Sequence, residues 1–180
     1  KTSLVKHVCS QVEPDLVSVV NMDIYDCRSE YEFYNKFATS ILKQTAQKSD
    51  VILQNIKDFL VRLSPKISFS PDVSNEISLS LGITPKEYSA EEILQLPELI
   101  AQKIGKRIVV CIDEFQQIRE YPQTTTEAFI RTLVQQCSKT SFIFCGSKRH
   151  TMTDMFYSPA KPFFQSVISQ SLKPIPMDRY

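Results

Sequence analysis

A short run of apolar residues that ends in two acids constrains this chain more than any other feature. Ile108 to Ile112 are five consecutive apolar residues, and Asp113 and Glu114 follow at once. An unbroken run of this kind predicts a strand buried on both faces of a parallel sheet. The acids then lie at the carboxyl end of the strand, where open α/β sheets bind ligands. Two interpretations follow: a core strand with two solvated acids, or a site where one carboxylate supports Mg²⁺ and the other orients a water.

Length and composition set the class of protein. The chain has 180 residues, which is enough for one domain with a substantial core. Its net charge of +1 gives no bulk attraction to nucleic acid or to a membrane surface. No apolar run approaches the length of a membrane helix, and the N-terminus has no signal-peptide pattern. We therefore expect a cytoplasmic protein without membrane association.

The cysteines and histidines argue against a transition-metal site. The five cysteines show no C-x-x-C spacing, and Cys111 and Cys145 lie inside apolar runs, where cysteine acts as a small hydrophobic residue. An odd number of scattered cysteines indicates a reducing compartment. His7 and His150 are far apart and have no partners at ligand spacing.

Helical and strand-like segments alternate along most of the chain. Hydrophobic periodicity predicts helices at about 1–12, 29–46, 52–63, 89–105, 124–138 and 150–157, and strands at 16–25, 107–112 and 141–145. In the first helix Leu4, Val5, Val8 and Val12 form the predicted apolar face, and Lys6 and Gln11 point outward. Residues 164–172 fit either a strand or a helix. Strands that alternate with helices predict a three-layer α/β fold with a parallel sheet.

Polar and helix-breaking residues mark several helix ends. Three helix starts carry capping-box patterns, in which a hydroxyl residue is followed three positions later by Glu: Ser29 with Glu32, Ser89 with Glu92, and Thr124 with Glu127. Pro97 is expected to perturb the helix that contains it, and Gly105 to end that helix.

The segment 65–83 interrupts the α/β rhythm. Residues 66–70 and 76–81 alternate apolar and polar side chains, and the turn-forming residues Pro71, Asp72, Ser74 and Asn75 lie between them. We interpret the segment as a β-hairpin insertion at the edge of the domain. It is either a surface hairpin or an edge on which a partner docks.

The start of the chain adds a second chemical signal. Lys1 and Thr2 open the first helix, and a Lys-Thr pair at a helix N-terminus matches the end of a phosphate-binding loop. Taken alone, the pair is better explained as an ordinary exposed helix start, so the order of the other parts decides. A strand follows, then the buried strand that ends at Asp113 and Glu114, and then a buried strand that runs into Gly146-Ser147.

The order of these parts resembles the AAA+ and STAND branches of the P-loop ATPases. The strings Ile-Val-Val-Cys-Ile-Asp-Glu-Phe-Gln-Gln-Ile and Phe-Ile-Phe-Cys-Gly-Ser, with a later Ser158-Pro, resemble the archaeal-type ATPase family. The resemblance covers essentially the whole chain. It implies a P-loop NTPase fold of the AAA+ type with a hairpin insertion.

The resemblance also implies ATP or ADP and Mg²⁺ as cofactors, together with a role for each site residue. Lys1 and Ser3 would lie at the phosphates, Thr2 and Asp113 would support Mg²⁺, Glu114 would polarise the attacking water, and Ser147 would occupy the sensor-1 position near the γ-phosphate.

The sequence departs from the family pattern in two places. The glycines of the phosphate loop and the strand before them are absent, so we expect the native chain to continue upstream of Lys1. Gln165 stands where relatives often carry an arginine, and it cannot supply that charge. Arg149 and Arg131 are candidate substitutes, although a solvated turn and a helix surface are the favoured roles for them.

Three hypotheses of function remain open. The first is an ATP-binding, ATP-hydrolysing domain that acts as a switch or motor, with its C-terminal lid absent from this chain. The second is a nucleotide-binding or assembly module with little or no hydrolysis, and the third is an α/β protein of unrelated chemistry. Self-association or a protein partner is compatible with the first two, and nucleic acid would bind only through regions outside this chain. Tyr25 and Asp26 either line the nucleotide site or form a turn.

Overall fold

The computed structural model describes residues 2–46, 70–71, 77–78 and 90–172, and the predicted helix at 52–63 lies outside them. The helices are α1 Thr2–Ser10, α2 Glu30–Ala46, α3 Ala90–Ile104, α4 Thr126–Gln136 and α5 Arg149–Tyr157, with a 3₁₀ helix at Phe115–Glu120. The strands are β1 Val17–Asp23, β2 Ser70–Pro71, β3 Ile77–Ser78, β4 Arg107–Asp113 and β5 Thr140–Phe144.

The main sheet is parallel and has the acidic strand at its centre. In the described part of the chain its order is β1, β4, β5. The register places Asp23 opposite Asp113 and Ile112 opposite Phe144. The α/β class and the parallel pairing predicted from the sequence are therefore confirmed, and the carboxyl ends of β1 and β4 meet at one edge of the sheet.

The segment predicted to be a hairpin contains one short antiparallel pairing. Ser70 pairs with Ser78, and Pro71 pairs with Ile77. The sequence had placed Pro71 in the turn, so that detail is wrong: Pro71 is the last described residue of β2. The rest of 65–83 lies outside the described residues, and its role as an insertion stays a prediction.

The two faces of β4 have different neighbours. Ile108, Val110 and Ile112 are fully buried in the hydrophobic core. Side chains alternate along a strand, so Cys111 and Asp113 point to the opposite face, where both contact α1. This alternation gives the sheet one apolar side and one side with polar chemistry.

Helices α2, α3 and α4 form a continuous layer over the core. Phe33, Tyr34 and Phe37 of α2 are buried there. Helix α3 continues through Pro97, which is buried, and ends before Gly105, whose φ of 71° is the left-handed conformation that glycine adopts readily. The predicted end at Gly105 is thus confirmed, while Pro97 does not interrupt the helix.

An aromatic cluster supports the loops that follow β4 and β5. The ring centroids of Phe115 and Phe144 lie 4.2 Å apart, and Phe156 and Phe163 are 5.8 Å and 5.4 Å from Phe144. Contacts of this kind are worth about 0.5–1.5 kcal/mol per pair beyond the area they bury. The cluster anchors the 3₁₀ helix, and hence Glu114 immediately before it, against β5.

On the side of β1 away from β4, a side chain of α2 binds the backbone of the strand. The Asn21 N–H donates to Gln44 Oε1 at 2.9 Å, and Gln44 Nε2 donates to the Asn21 carbonyl at 2.8 Å. The Gln44 amide therefore forms the pair of hydrogen bonds that a neighbouring strand would form, which satisfies backbone groups that would otherwise be unpaired.

Two of the predicted caps differ from the expected pattern. The Glu32 N–H donates to Ser29 Oγ, but the Glu32 carboxylate accepts from the Arg28 N–H at 2.6 Å instead of closing the box on Ser29. Helix α4 begins after Thr125 rather than Thr124, and Thr125 makes no side-chain cap. Its hydroxyl donates to Glu30 instead, because the carboxylate of α2 competes for it.

The C-terminal described segment has no regular secondary structure. Residues 164–172 contain neither a helix nor a strand but a series of turns and extended backbone. Within the described ranges, none of the helices combines the length and the apolar character needed to cross a membrane.

Candidate functional site at the carboxyl end of the sheet

A hydrogen bond joins the first turn of α1 to the end of β4. The Thr2 hydroxyl donates to Asp113 Oδ2, while Asp113 Oδ1 accepts from the Glu114 N–H at 3.0 Å. Both carboxylate oxygens of Asp113 are thereby oriented, and one of them faces the N-terminal end of a helix. That end carries unpaired N–H groups and a partial positive charge, which favour a bound anion.

Asp23 brings a second carboxylate beside Asp113. The two residues are register partners on adjacent strands, and Asp23 Oδ1 accepts from the Tyr25 N–H at 2.8 Å. The sequence interpretation passed over Asp23 in favour of Tyr25 and Asp26. The strand was predicted to extend to Tyr25, whereas it ends at Asp23. The missed signal was an acidic residue close to the carboxyl end of a predicted parallel strand, because all such ends lie at one edge of the sheet.

A small cavity lies between α1 and the sheet. Its volume is about 110 Å³, which suits an ion with its waters or a phosphate group but not a whole nucleotide. The lining combines carboxylates, a hydroxyl, a lysine and two thiols, and its residues are Thr2, Val5, Lys6, Asn21, Met22, Asp23, Cys111, Asp113 and Cys145.

The face of α1 that meets this cavity agrees only in part with the predicted one, because Val5 lines the cavity as expected while other positions differ. Lys6, which was expected to point outward, lines the cavity together with Thr2 one turn earlier. Leu4 and Val8 are instead 47% and 53% exposed. The contacts of Thr2 and Cys9 with β4 set the orientation of the helix, and the periodicity of its apolar residues does not.

The Cys111 thiol at the cavity is a neutral group. Burial, and secondarily the adjacent Cys9, raises the pKa of the Cys111 thiol well above its usual range. The charge in the cavity therefore comes from Asp23, Asp113 and Lys6.

Glu114 lies in a strained turn directly after the strand. Its φ of 54° and ψ of 37° are left-handed, which costs a non-glycine residue about 1–2 kcal/mol. Its carboxylate Oε2 accepts from the Ser147 hydroxyl at 2.7 Å and from Gln116 Nε2. The predicted pair Glu114 and Ser147 is thus in direct contact, and strained backbone of this kind is concentrated at functional sites.

Gly146 leaves the space that this arrangement needs. A Cβ at position 146 would lie 2.3 Å from Gln116 Oε1 and 2.7 Å from Met152 Sδ. Gln116 is 3% exposed, and its Oε1 is buried without a hydrogen-bond partner. A residue with a side chain at 146 would displace the amide that holds Glu114.

The other sequence candidates have separate positions. Lys1 lies outside the described residues, and Ser3 is exposed on the first turn of α1 and does not line the cavity. Asp26 forms an ion pair with Lys36, whose hydrogen bond lowers the pKa of the Asp26 carboxyl. The Arg28 guanidinium lies 5.8 Å from the centre of the Tyr25 ring. Asp26 and Tyr25 therefore belong to the turn after β1.

The candidate arginines also lie away from the cavity lining. Arg149 is the first residue of α5 and is exposed, and Arg131 is half-buried on α4. Gln165 is exposed, with a φ of 52°.

The oxygen ligands fit a hard cation such as Mg²⁺. Among the described residues, no cluster of three or more His, Cys, Asp and Glu side chains suits a metal. Mg²⁺ does not require such a cluster, because it keeps several waters and is held by one or two carboxylates together with substrate phosphates. Asp113 and Asp23 supply the two carboxylates, and the Thr2 hydroxyl adds a further oxygen ligand.

The fold is similar to that of a solved Walker-type ATPase from the archaeon Pyrococcus abyssi. The TM-score is 0.55 over 91% of this chain, with 14% sequence identity. The chain spans 42% of the length of that protein. No family model matches the sequence, and no curated protein is similar to it. The fold is therefore that of a parallel α/β protein related in architecture to a Walker-type ATPase, and arguments about chemistry rest on the side chains.

Proposed function

We propose that this protein binds ATP together with Mg²⁺ at the carboxyl ends of β1 and β4, and that it hydrolyses the nucleotide. In this proposal the fold is a P-loop NTPase fold of the AAA+ type. One observation carries the proposal: the hydroxyl at the start of α1 meets the carboxylate at the end of the central parallel strand. Phosphate-binding folds of this class bring these two ligand types together at Mg²⁺.

Each residue has a defined task in the proposed site. The N-terminus of α1, with Lys1 and Ser3, would bind phosphate oxygens, and Lys6 at the cavity adds positive charge. Thr2 and Asp113 would hold Mg²⁺, with Asp23 accepting hydrogen bonds from its waters. When bound, Mg²⁺ neutralises the negative charge that develops on the phosphates.

Glu114 and Ser147 would act on the attacking water. A carboxylate accepts a hydrogen bond from the water, and this directs a lone pair of the water oxygen toward the γ-phosphate. The Ser147 hydroxyl, 2.7 Å from Glu114, fixes the direction of that carboxylate. Ser147 follows β5 and Glu114 follows β4. A shift of one strand end relative to the other would therefore alter the hydrogen bond between these two residues and the direction of the Glu114 carboxylate. We propose this link as the basis of a nucleotide-dependent switch, with self-association or a protein partner as its output.

A second candidate function is nucleotide binding with little or no hydrolysis. The observation that favours it is the double hydrogen bond on Glu114 Oε2, from Ser147 and from Gln116. A carboxylate oxygen that accepts two protein donors is less available to a water. In this alternative the Gln116 amide keeps Glu114 away from the reaction.

ATP turnover by the full-length protein separates the two candidates. We expect Mg²⁺-dependent turnover that falls by about 100-fold or more in Glu114→Gln, because the amide cannot act as a base. Glu91→Gln is the matched control, since Glu91 is exposed on α3. Equal turnover in the wild type and Glu114→Gln would reject the role of Glu114. Nucleotide binding without turnover in either would support the second candidate.

A further inference from the structure

Two cysteines that are distant in sequence have adjacent sulfur atoms. Cys9 Sγ on α1 lies 3.7 Å from Cys111 Sγ on β4, although the two residues are 102 positions apart in the sequence. Cys9 is half-buried, whereas Cys111 is 4% exposed. All five cysteines of the chain are free thiols. The pair therefore combines a half-buried cysteine of a surface helix with a cysteine enclosed in the protein.

The other three cysteines have different positions. Cys27 is buried after β1, and Cys137 follows the last residue of α4. Cys145 is half-buried and lines the same cavity as Cys111. The contact between Cys9 and Cys111 joins a half-buried cysteine to a buried one across the boundary between α1 and the sheet.

We propose that Cys9 and Cys111 form an oxidation site, at which a peroxide converts the two thiols into a disulfide between α1 and β4. The Cys9 sulfur attacks the peroxide oxygen, the O–O bond breaks, and water leaves with one proton, so that Cys9 becomes a sulfenic acid. The Cys111 sulfur then attacks the Cys9 sulfur and breaks its S–O bond. The hydroxyl leaves with the Cys111 proton as a second water. Two thiols and one hydrogen peroxide thus give one disulfide and two waters.

The geometry permits bond formation with a small movement. A disulfide has sulfur atoms about 2.05 Å apart, so the sulfurs must approach by about 1.7 Å. Helix α1 has no buried residue, and it can move toward the sheet without displacing core side chains. Strand β4 is central in the described sheet and stays in place.

The disulfide would have a local consequence at the candidate site. Cys9 lies two turns after Thr2 on α1, and Cys111 lies two residues before Asp113 on β4. The covalent link would hold these two elements together, including the contact of Thr2 with Asp113. The oxidation chemistry itself does not depend on nucleotide binding.

Peptide mass mapping after mild oxidation tests the proposal. The folded full-length protein is treated with stoichiometric hydrogen peroxide, its remaining thiols are alkylated, and it is digested without reduction. We expect a linked peptide pair that contains Cys9 and Cys111, with a mass 2 Da below the sum of the two thiol peptides. Cys137→Ser is the matched control and should retain the link, whereas Cys9→Ser should lose it.

The same maps show the outcomes that would overturn the proposal. Recovery of Cys9 and Cys111 as alkylated thiols in the folded protein would reject it. A link from either one to Cys145, or links between chains, would reject it as well. A Cys111→Ala variant gives a second test, because its Cys9 should stop at the sulfenic acid, which dimedone traps. Absence of that adduct together with absence of the linked peptide would show that Cys9 is not oxidised.

Discussion

The Thr2 hydroxyl donates a hydrogen bond to the Asp113 carboxylate across a sequence separation of 111 residues. Thr2 begins α1 and Asp113 ends β4, so the contact fixes where the helix meets the sheet. It also joins two oxygen ligands of the kind that Mg²⁺ prefers. The proposed function and the first prediction both depend on this contact.

Removing the Thr2 hydroxyl should weaken Mg²⁺-dependent nucleotide binding. Thr2→Ala deletes one oxygen ligand, and the loss of an interaction with a charged group costs about 1.5–3 kcal/mol, or roughly tenfold or more in affinity. Titration with a fluorescent ATP analogue in excess Mg²⁺ measures the change. Thr153→Ala is the control, because Thr153 is exposed on α5. Equal affinities for the two variants would count against the role of Thr2.

A side chain at position 146 should destabilise the protein and disturb Glu114. In Gly146→Ala the new Cβ would meet Gln116 Oε1 at 2.3 Å and Met152 Sδ at 2.7 Å. Relief of such a clash costs about 1–3 kcal/mol of unfolding free energy. Urea denaturation measures the loss.

A double-mutant cycle shows whether Gln116 is the residue that resists the change. Gly146→Ala combined with Gln116→Ala should lose less stability than the sum of the single variants, because the shorter side chain removes the contact. Simple additivity would contradict the proposed clash. Gly105→Ala is an informative comparison, because its Cβ meets no atom within 4 Å and its cost comes only from a φ of 71°.

Glu98 should make the free energy of unfolding depend on pH. Burial alone would raise the pKa of its carboxyl, but hydrogen bonds from Ser138 and from the Lys139 N–H outweigh burial and lower the pKa to about 2. The folded pKa lies below the unfolded value of 4.5, so the stabilisation is fully present above about pH 4.5. It is lost as the pH falls toward 2 and amounts to about 3 kcal/mol.

Denaturant unfolding between pH 2 and pH 7 measures the contribution of Glu98. The difference in unfolding free energy between the wild type and Glu98→Gln should be largest at neutral pH and should shrink as the solution is acidified. Glu91→Gln, at an exposed position of the same helix, should show a small and constant difference. A difference for Glu98→Gln that is independent of pH would contradict the assignment.

Gln44 should contribute to stability through the edge of β1. Gln44→Ala leaves the N–H and C=O of Asn21 without their partners, which should cost about 1–3 kcal/mol. Gln95→Ala provides the control, because Gln95 is exposed on α3. Thermal unfolding monitored by circular dichroism gives both values. Equal melting temperatures for the two variants would show that water replaces the Gln44 amide without cost.

Local patterns predicted the elements around the site. The unbroken apolar run at Ile108–Ile112 predicted the central strand because strands buried on both faces lack polar positions. The parallel arrangement followed from the alternation of helices and strands. Glu114 and Ser147 were predicted at the ends of two such strands, and they form a hydrogen bond.

Features that depend on register or on packing were missed. Asp23 became a site residue only because β1 pairs with β4 in a register that places it opposite Asp113. The predicted inward face of α1 was right for Val5 and wrong for Leu4 and Val8, because polar and thiol contacts orient that helix and hydrophobic periodicity does not detect such contacts. The 3₁₀ helix after Glu114 has no strong periodic signal, and the packing of Phe115 against Phe144 holds it in place.

Magnesium-dependent ATP binding by Asp113→Asn tests the central proposal most directly. Binding of a fluorescent ATP analogue to the full-length protein is measured with Mg²⁺ and with a chelator, for the wild type, Asp113→Asn and the exposed control Asp15→Asn. The proposal predicts that Mg²⁺ strengthens binding to the wild type and to Asp15→Asn by at least about tenfold, and that Asp113→Asn loses this gain. A wild type that binds no nucleotide, or an Asp113→Asn variant with an undiminished response to Mg²⁺, would contradict it.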